Sequence, residues 1–159
     1  MDEPLKKEVL RKINYGLYVI TARSGDDWSA GTVNWLSQCS FAPPLVMIGV
    51  KQDSGLYAVL RKNGRAVVHI LEAGQKDLAA DFFRPTKVEG DRLNGHPFQL
   101  DGQGLPILTE IPWFFTVESR DWVERGDHSV LVAEVVGVGK NRDGELPLLM
   151  RDTGWSYGG

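Results

Sequence analysis

The sequence predicts a mainly β protein (β with short α), a closed or nearly closed barrel of about six strands with a few short helices around it. Three observations predict this. Turn-forming dipeptides recur at short intervals, among them Asn63-Gly64, Asn94-Gly95, Asp101-Gly102 and Asp143-Gly144. The runs between them are rich in β-branched and aromatic residues, as strands are. A sheet of about six strands must also hide its edges, and closure does so.

Taken in order, residues 3–13 (EPLKKEVLRKI) set Leu5, Val9 and Ile13 four apart, the spacing of one helix face. Residues 15–23 (YGLYVITAR) and 45–50 (LVMIGV) read as strands, the second too apolar for a solvated face. Residues 53–63 (DSGLYAVLRKN) read as a helix with a serine at the cap position and Leu56, Val59 and Leu60 on one face. A strand over 66–71 and a short helix over 75–83 follow. Two longer strands, 113–123 and 129–139, are joined by ERGDH.

The 159 residues form one domain, 1–159, long enough to bury a core. Eighteen basic against 21 acidic residues leave a net charge of −3, which speaks against nucleic acid or an anionic membrane as the main partner. The lone Cys39 excludes an internal disulfide. No charged-then-apolar leader opens the sequence, and no apolar run nears the roughly 20 residues that span a bilayer. The expectation is a cytoplasmic protein.

Several chemistries are missing. One cysteine and three scattered histidines (His69, His96, His128) give no zinc spacing. There is no G-x-S-x-G elbow. In EVVGVGKN, Glu134 stands where a phosphate loop needs glycine and Asn141 replaces its Ser or Thr; in GVGKNR, Arg142 replaces the third glycine of a dinucleotide fingerprint. A chain without its own catalytic constellation is either inert or borrows one from a bound cofactor, for which it needs only a shaped, polar-studded pocket.

Residues 31–46, GTVNWLSQCSFAPPLV, raise that question directly. Thr32, Asn34, Ser37, Gln38 and Ser40 crowd small polar groups in front of an apolar strand, and Pro43-Pro44 is expected to hold the segment extended. Such an inventory suits a flat heteroaromatic ring with carbonyls and ring nitrogens. It equally suits a polar loop bonding its own turns.

The order INYGLYVITAR, GTVNWLSQCSFAPPLVMIGV, SGLYAVLRKNGRAVVHIL, GDHSVLVAEVVGV closely resembles the flavin reductase-like, FMN-binding split-barrel family over roughly residues 8 to 157. The resemblance implies a Greek-key-like split barrel of antiparallel strands. It implies a flavin cofactor, FMN or FAD, reduced by NADH or NADPH through hydride transfer from nicotinamide C4 to flavin N5. The alternative is an FMN-binding electron carrier reduced by a partner protein. It further implies a homodimer and a redox partner protein.

By the same resemblance, Thr32, Asn34, Ser37, Gln38, Cys39 and Ser40 lie along the flavin, and Trp35 covers the ring or packs. Lys51 and Ser54 approach its phosphate at a helix start, where unpaired N–H groups favour an anion. Asp53 reads as a helix cap, and Arg84 as a surface residue. Gly126-Asp127-His128 matches a triplet used near the nicotinamide dinucleotide, with His128 as the catalytic candidate. His69 reads as a hydrogen-bonded core histidine and His96 as a loop residue. The ending TGWSYGG matches the tail of members fused to other redox domains, so Trp155 and Tyr157 either reach the flavin or a partner subunit, or close the core. No such module is present in this sequence, and the expectation is a protein that works alone or with a separate acceptor.

Overall fold

The computed structural model describes residues 1–159. Its main sheet has seven strands: β1 Tyr18–Ser24, β2 Asp27–Val33, β3 Leu36–Phe41, β4 Pro44–Lys51, β5 Arg65–Ile70, β10 Trp113–Glu124 and β11 His128–Lys140. They lie in the order β2-β1-β5-β10-β11-β4-β3, every pair antiparallel. The two edge strands, β2 and β3, are consecutive in the chain and separated only by Asn34 and Trp35. The sheet therefore curls until its edges meet. They are joined there by covalent chain and not by ladder hydrogen bonds, which makes a barrel split along one seam. A separate ribbon of four short strands follows, β6 Val88–Glu89, β7 Arg92–Leu93, β8 His96–Leu100 and β9 Pro106–Leu108, so that the main sheet has one strand more than the expected six and the ribbon adds four.

Three α-helices, α1 Glu3–Leu10, α2 Gly55–Asn63 and α3 Lys76–Asp81, and a 3₁₀ turn at Met150–Asp152 complete the chain. α1 is shorter than its periodicity suggests and buries none of its residues. Ser54 caps α2, its hydroxyl accepting from the Tyr57 N–H at 3.1 Å, and Gly64 ends the helix at φ 69°. Asp53 is thus not the cap; it pairs with Lys51 at 3.2 Å instead.

Leu56, Val59 and Leu60 of α2 plug the barrel, packing on Ile20, Ile48, Val68 and Leu131. A second apolar cluster lies outside it, where Leu17, Val19 and Leu71 meet Ala79 of α3, Phe82 just after it, Leu108 at the end of β9 and Ile111 beyond. β1 is buried on both faces from Val19 to Ala22.

β4 differs from expectation. Val46, Ile48 and Val50 face the core, but Met47 points outward and is 44% exposed, near Val123 and Val130 on the same uncovered face. The prolines also act differently. Phe41 pairs with Pro44, so Ala42-Pro43, joined by a cis peptide, turns the β3–β4 hairpin instead of extending the chain. Across the seam, the free edge of β2 is covered by one side chain: Thr86 Oγ1 accepts from the Ala30 N–H at 2.9 Å and donates to the Ala30 carbonyl at 3.3 Å.

Candidate functional site

The seam opens into a cavity of about 620 Å³. One wall is the end of β2 (Gly31, Thr32, Val33) running into Asn34; another is the end of β4 and the first turn of α2 (Val50, Lys51, Ser54, Leu56). Phe82 and Phe83 follow α3, His128 opens β11, and the C-terminal tail crosses the mouth with Trp155, Ser156 and Tyr157.

Of the residues singled out in the sequence, Thr32, Asn34, Lys51, Ser54 and His128 come together on this cavity. Thr32 Oγ1 donates to the Ala79 carbonyl at 2.7 Å, tying β2 to α3. Asn34 is buried, and its side-chain Nδ2 has no partner in the protein. Trp35 packs behind His128, ring centroids 4.6 Å apart, and against Tyr157 at 5.3 Å. Its Nε1 is also buried without a partner. Gly158, at φ 83°, makes room for that ring, since a Cβ there would stand 2.8 Å from Trp35 Cζ2.

Ser37, Gln38, Cys39 and Ser40 lie elsewhere, along β3. The first three are exposed, Ser37 donates to the Gln38 carbonyl at 3.1 Å, and Gln38 Nε2 donates to the Ser40 carbonyl at 3.3 Å. Arg84 is a surface residue, paired with Asp81 at 3.2 Å.

His128 is held on both nitrogens. Nδ1 is 3.0 Å from Asp127 Oδ1 and Nε2 is 2.8 Å from the Tyr157 hydroxyl. An ionised carboxylate only accepts, so Nδ1–H donates to Asp127; in the neutral ring Nε2 then accepts the Tyr157 O–H. The hydrogen bond from His128 holds the Asp127 carboxyl below the ordinary carboxylate range. Burial pushes the Tyr157 phenol above its usual value, so it remains a donor at neutral pH.

The other two histidines do different work. His69 is fully buried in β5: Nε2 accepts from the Leu108 N–H at 2.9 Å, which leaves Nδ1–H to donate to the Val19 carbonyl at 2.9 Å. It is the core histidine its strand suggests. His96 is more tied down than a loop residue, with Nδ1 2.7 Å from Glu110 and Nε2 3.1 Å from Asp81.

Sequence reasoning missed Phe82, Phe83 and Met150 as lining residues. The Phe82-Phe83 pair carried a signal, because two adjacent phenylalanines at a helix end cannot both face one core.

A barrel split at one seam, with a part-polar cavity set into the split, defines a split-barrel ligand-binding protein. The chain belongs to the flavin reductase like domain family, which it matches over residues 10–158. It is 32% identical over 136 residues to Diflavin flavoprotein A 1 of Synechocystis sp., covering 85% of this chain and 24% of that protein. It is 29% identical over 121 residues to a probable flavin reductase of Rhizobium meliloti, covering 76% of this chain and 38% of that one. The chain thus spans about a quarter of the length of the diflavin flavoproteins it matches.

Among solved structures, the styrene monooxygenase flavin reductase of Pseudomonas putida S12 superposes with a TM-score of 0.76 at 26% identity, over 94% of this chain and 93% of that one. The NADH:FAD oxidoreductase SgcE6 of Streptomyces globisporus, in complex with NAD and FAD fragments, shares the fold with a TM-score of 0.80 at 23% identity, over 99% and 93%. No helix of this chain is long and apolar enough to cross a membrane.

Proposed function

We propose that the chain is an NAD(P)H-dependent flavin reductase that holds FMN or FAD in the seam cavity. The observation that carries this reading is Asn34 Nδ2, a buried amide donor with no protein partner on the wall of a mostly apolar cavity. Leaving such a donor unmet costs about 1–3 kcal/mol, and a ligand acceptor removes that cost. The ring edge of a flavin presents carbonyl oxygens and ring nitrogens of the right kind. The residues present fit it.

Lys51 and the first turn of α2 supply the positive end for a phosphate, by side-chain charge and helix dipole together. Asp53, exposed beside Lys51, tempers that charge. When bound, the flavin supplies the hydride-accepting chemistry; no protein acid or base is obligatory for it. The chain's own residues orient and enclose. Leu17, Val33, Leu56 and Phe82 keep water from the ring faces. His128, fixed between Asp127 and Tyr157, positions the nicotinamide of the donor and offers it a hydrogen-bonding edge. Ser37, Gln38, Cys39 and Ser40 are proposed flavin contacts on the family resemblance alone. A homodimer is supported by the uncovered apolar strip of Met47, Val123 and Val130.

The test is a fluorescence titration with FMN and FAD, followed by an anaerobic absorbance scan with NADH and then NADPH. Bleaching of the bound flavin at roughly 1 per second or faster is the expected result and names the donor. Bound flavin that stays oxidised with both donors would replace this reading with that of an electron carrier reduced by a protein. Failure to bind either flavin would end both.

A further inference from the structure

The α3 side of the cavity carries a feature that the flavin ring and its phosphate leave unused. Phe82 is buried, but Phe83 remains 60% exposed while lining the cavity. Its ring meets that of Trp155 edge-on, centroids 5.0 Å apart at 64°. Lys76 Nζ stands 5.1 Å from the Trp155 ring centroid and has no carboxylate partner. The carboxylate of Asp81, on the same short helix, is already committed to Arg84 and His96. An apolar face and an unspent positive charge thus lie side by side at the rim.

Two positive poles therefore serve the cavity: Lys51 with the start of α2 on its wall, and Lys76 outside the lining, beside the lining residue Trp155. A flavin mononucleotide has one phosphate and occupies one pole. The second pole, with aromatic rings beside it, suits another ring that carries its own phosphates. Aromatic side chains stack bases of any identity, and lysine takes phosphate as a point charge.

We propose that Phe83, Trp155 and Lys76 form a subsite for an adenosine diphosphate group. The adenine stacks on the Phe83–Trp155 pair and Lys76 pairs with a phosphate. This deepens the flavin reductase reading and rests on it. Two molecules of that reaction carry the group, FAD and the nicotinamide dinucleotide, and the test separates them.

ADP is titrated calorimetrically into the full chain and into Phe83→Ala and Lys76→Glu, both exposed positions whose substitution spares the core. Phe83→Ala is expected to weaken ADP roughly tenfold, the scale of one lost stacking contact. Lys76→Glu should weaken it as well, and less so as salt is raised. FMN affinity should hold within about twofold in Lys76→Glu, which lies outside the cavity lining, and in Phe83→Ala the fall for ADP should exceed any fall for FMN. A fall in the FAD-to-FMN affinity ratio in Phe83→Ala assigns the subsite to FAD. A fall in the ratio for NADH over reduced nicotinamide mononucleotide assigns it to the donor. ADP affinity and both ratios unchanged in the two variants would overturn the proposal. Absence of FMN binding by the unsubstituted chain overturns the flavin reading instead, and is seen independently of the ADP titration.

Discussion

His69 and His128 each have both ring nitrogens engaged, yet one belongs to the protein's interior and the other to its cavity wall. Around His69 the partners are main-chain groups of Val19 and Leu108, and nothing is left over. Around His128 the partners are side chains, Asp127 and Tyr157, and two buried donors nearby, Asn34 Nδ2 and Trp35 Nε1, have none. Complete satisfaction marks packing that is finished within the chain. Orphaned donors beside a cavity mark packing that a second molecule completes.

The largest expected effect separates the two histidines by stability. His69→Ala empties a fully buried position and strands the Leu108 N–H and Val19 carbonyl, costing about 3–4 kcal/mol in urea unfolding. His128→Ala, at a largely covered cavity wall where only the side chains of Asp127 and Tyr157 lose a partner, should cost less, about 1–2 kcal/mol. Equal losses would break the comparison.

Next comes pH. Burial lowers the His69 pKa from 6.5 to about 4. Between those values the unfolded chain takes up the proton more readily than the folded one. Stability present above pH 6.5 is therefore lost as pH falls toward 4, by about 3 kcal/mol in all. Unfolding curves of His69→Gln should lack most of that slope; an unchanged slope would assign it to other groups.

Asn34→Ala sharpens the contrast from the cavity side. It should weaken FMN by ~1–3 kcal/mol while leaving the ligand-free protein as stable as before or slightly more so, because an unmet donor has been removed. Ser37→Ala, measured in the same titration, asks whether β3 takes part; a loss equal to that of Asn34→Ala would bring β3 into the site. The smallest effect is expected for Tyr157→Phe, which frees His128 Nε2 and should slow flavin reduction by about threefold with FMN affinity unchanged. Stopped-flow traces that match the unsubstituted protein would reduce Tyr157 to a cover.

Much of the fold was legible because strands and caps are written locally. Ser54 and Gly64 bracket α2, and the runs rich in β-branched and aromatic residues became β5, β10 and β11. The ribbon of β6 to β9 was not legible, since strands of two or three residues carry no period and the five residues of β8 include a proline. The outward face of Met47 was hidden for another reason: an apolar side chain looks the same in sequence whether the core or an uncovered surface receives it.

The candidate site shows the same limit. Residues 32–40 read as one polar block, but the seam divides it. Thr32 and Asn34 stay with the cavity, and Ser37 to Ser40 leave along β3. Only the pairing of β3 with β4, a contact between strands, decides where that division falls. Phe83 and Trp155 were likewise brought together from 72 positions apart by the fold alone.

The hydroxyl of Thr86 has a bearing on how the protein behaves in crowded solution. It occupies both hydrogen-bonding groups of Ala30 on the one free edge of β2, doing for that residue what a neighbouring strand would do. Thr86→Val would keep the shape and uncover the edge, offering a template on which another chain's strand can grow. The harm would then surface as turbidity that rises with protein concentration, in a molecule whose melting temperature has scarcely moved.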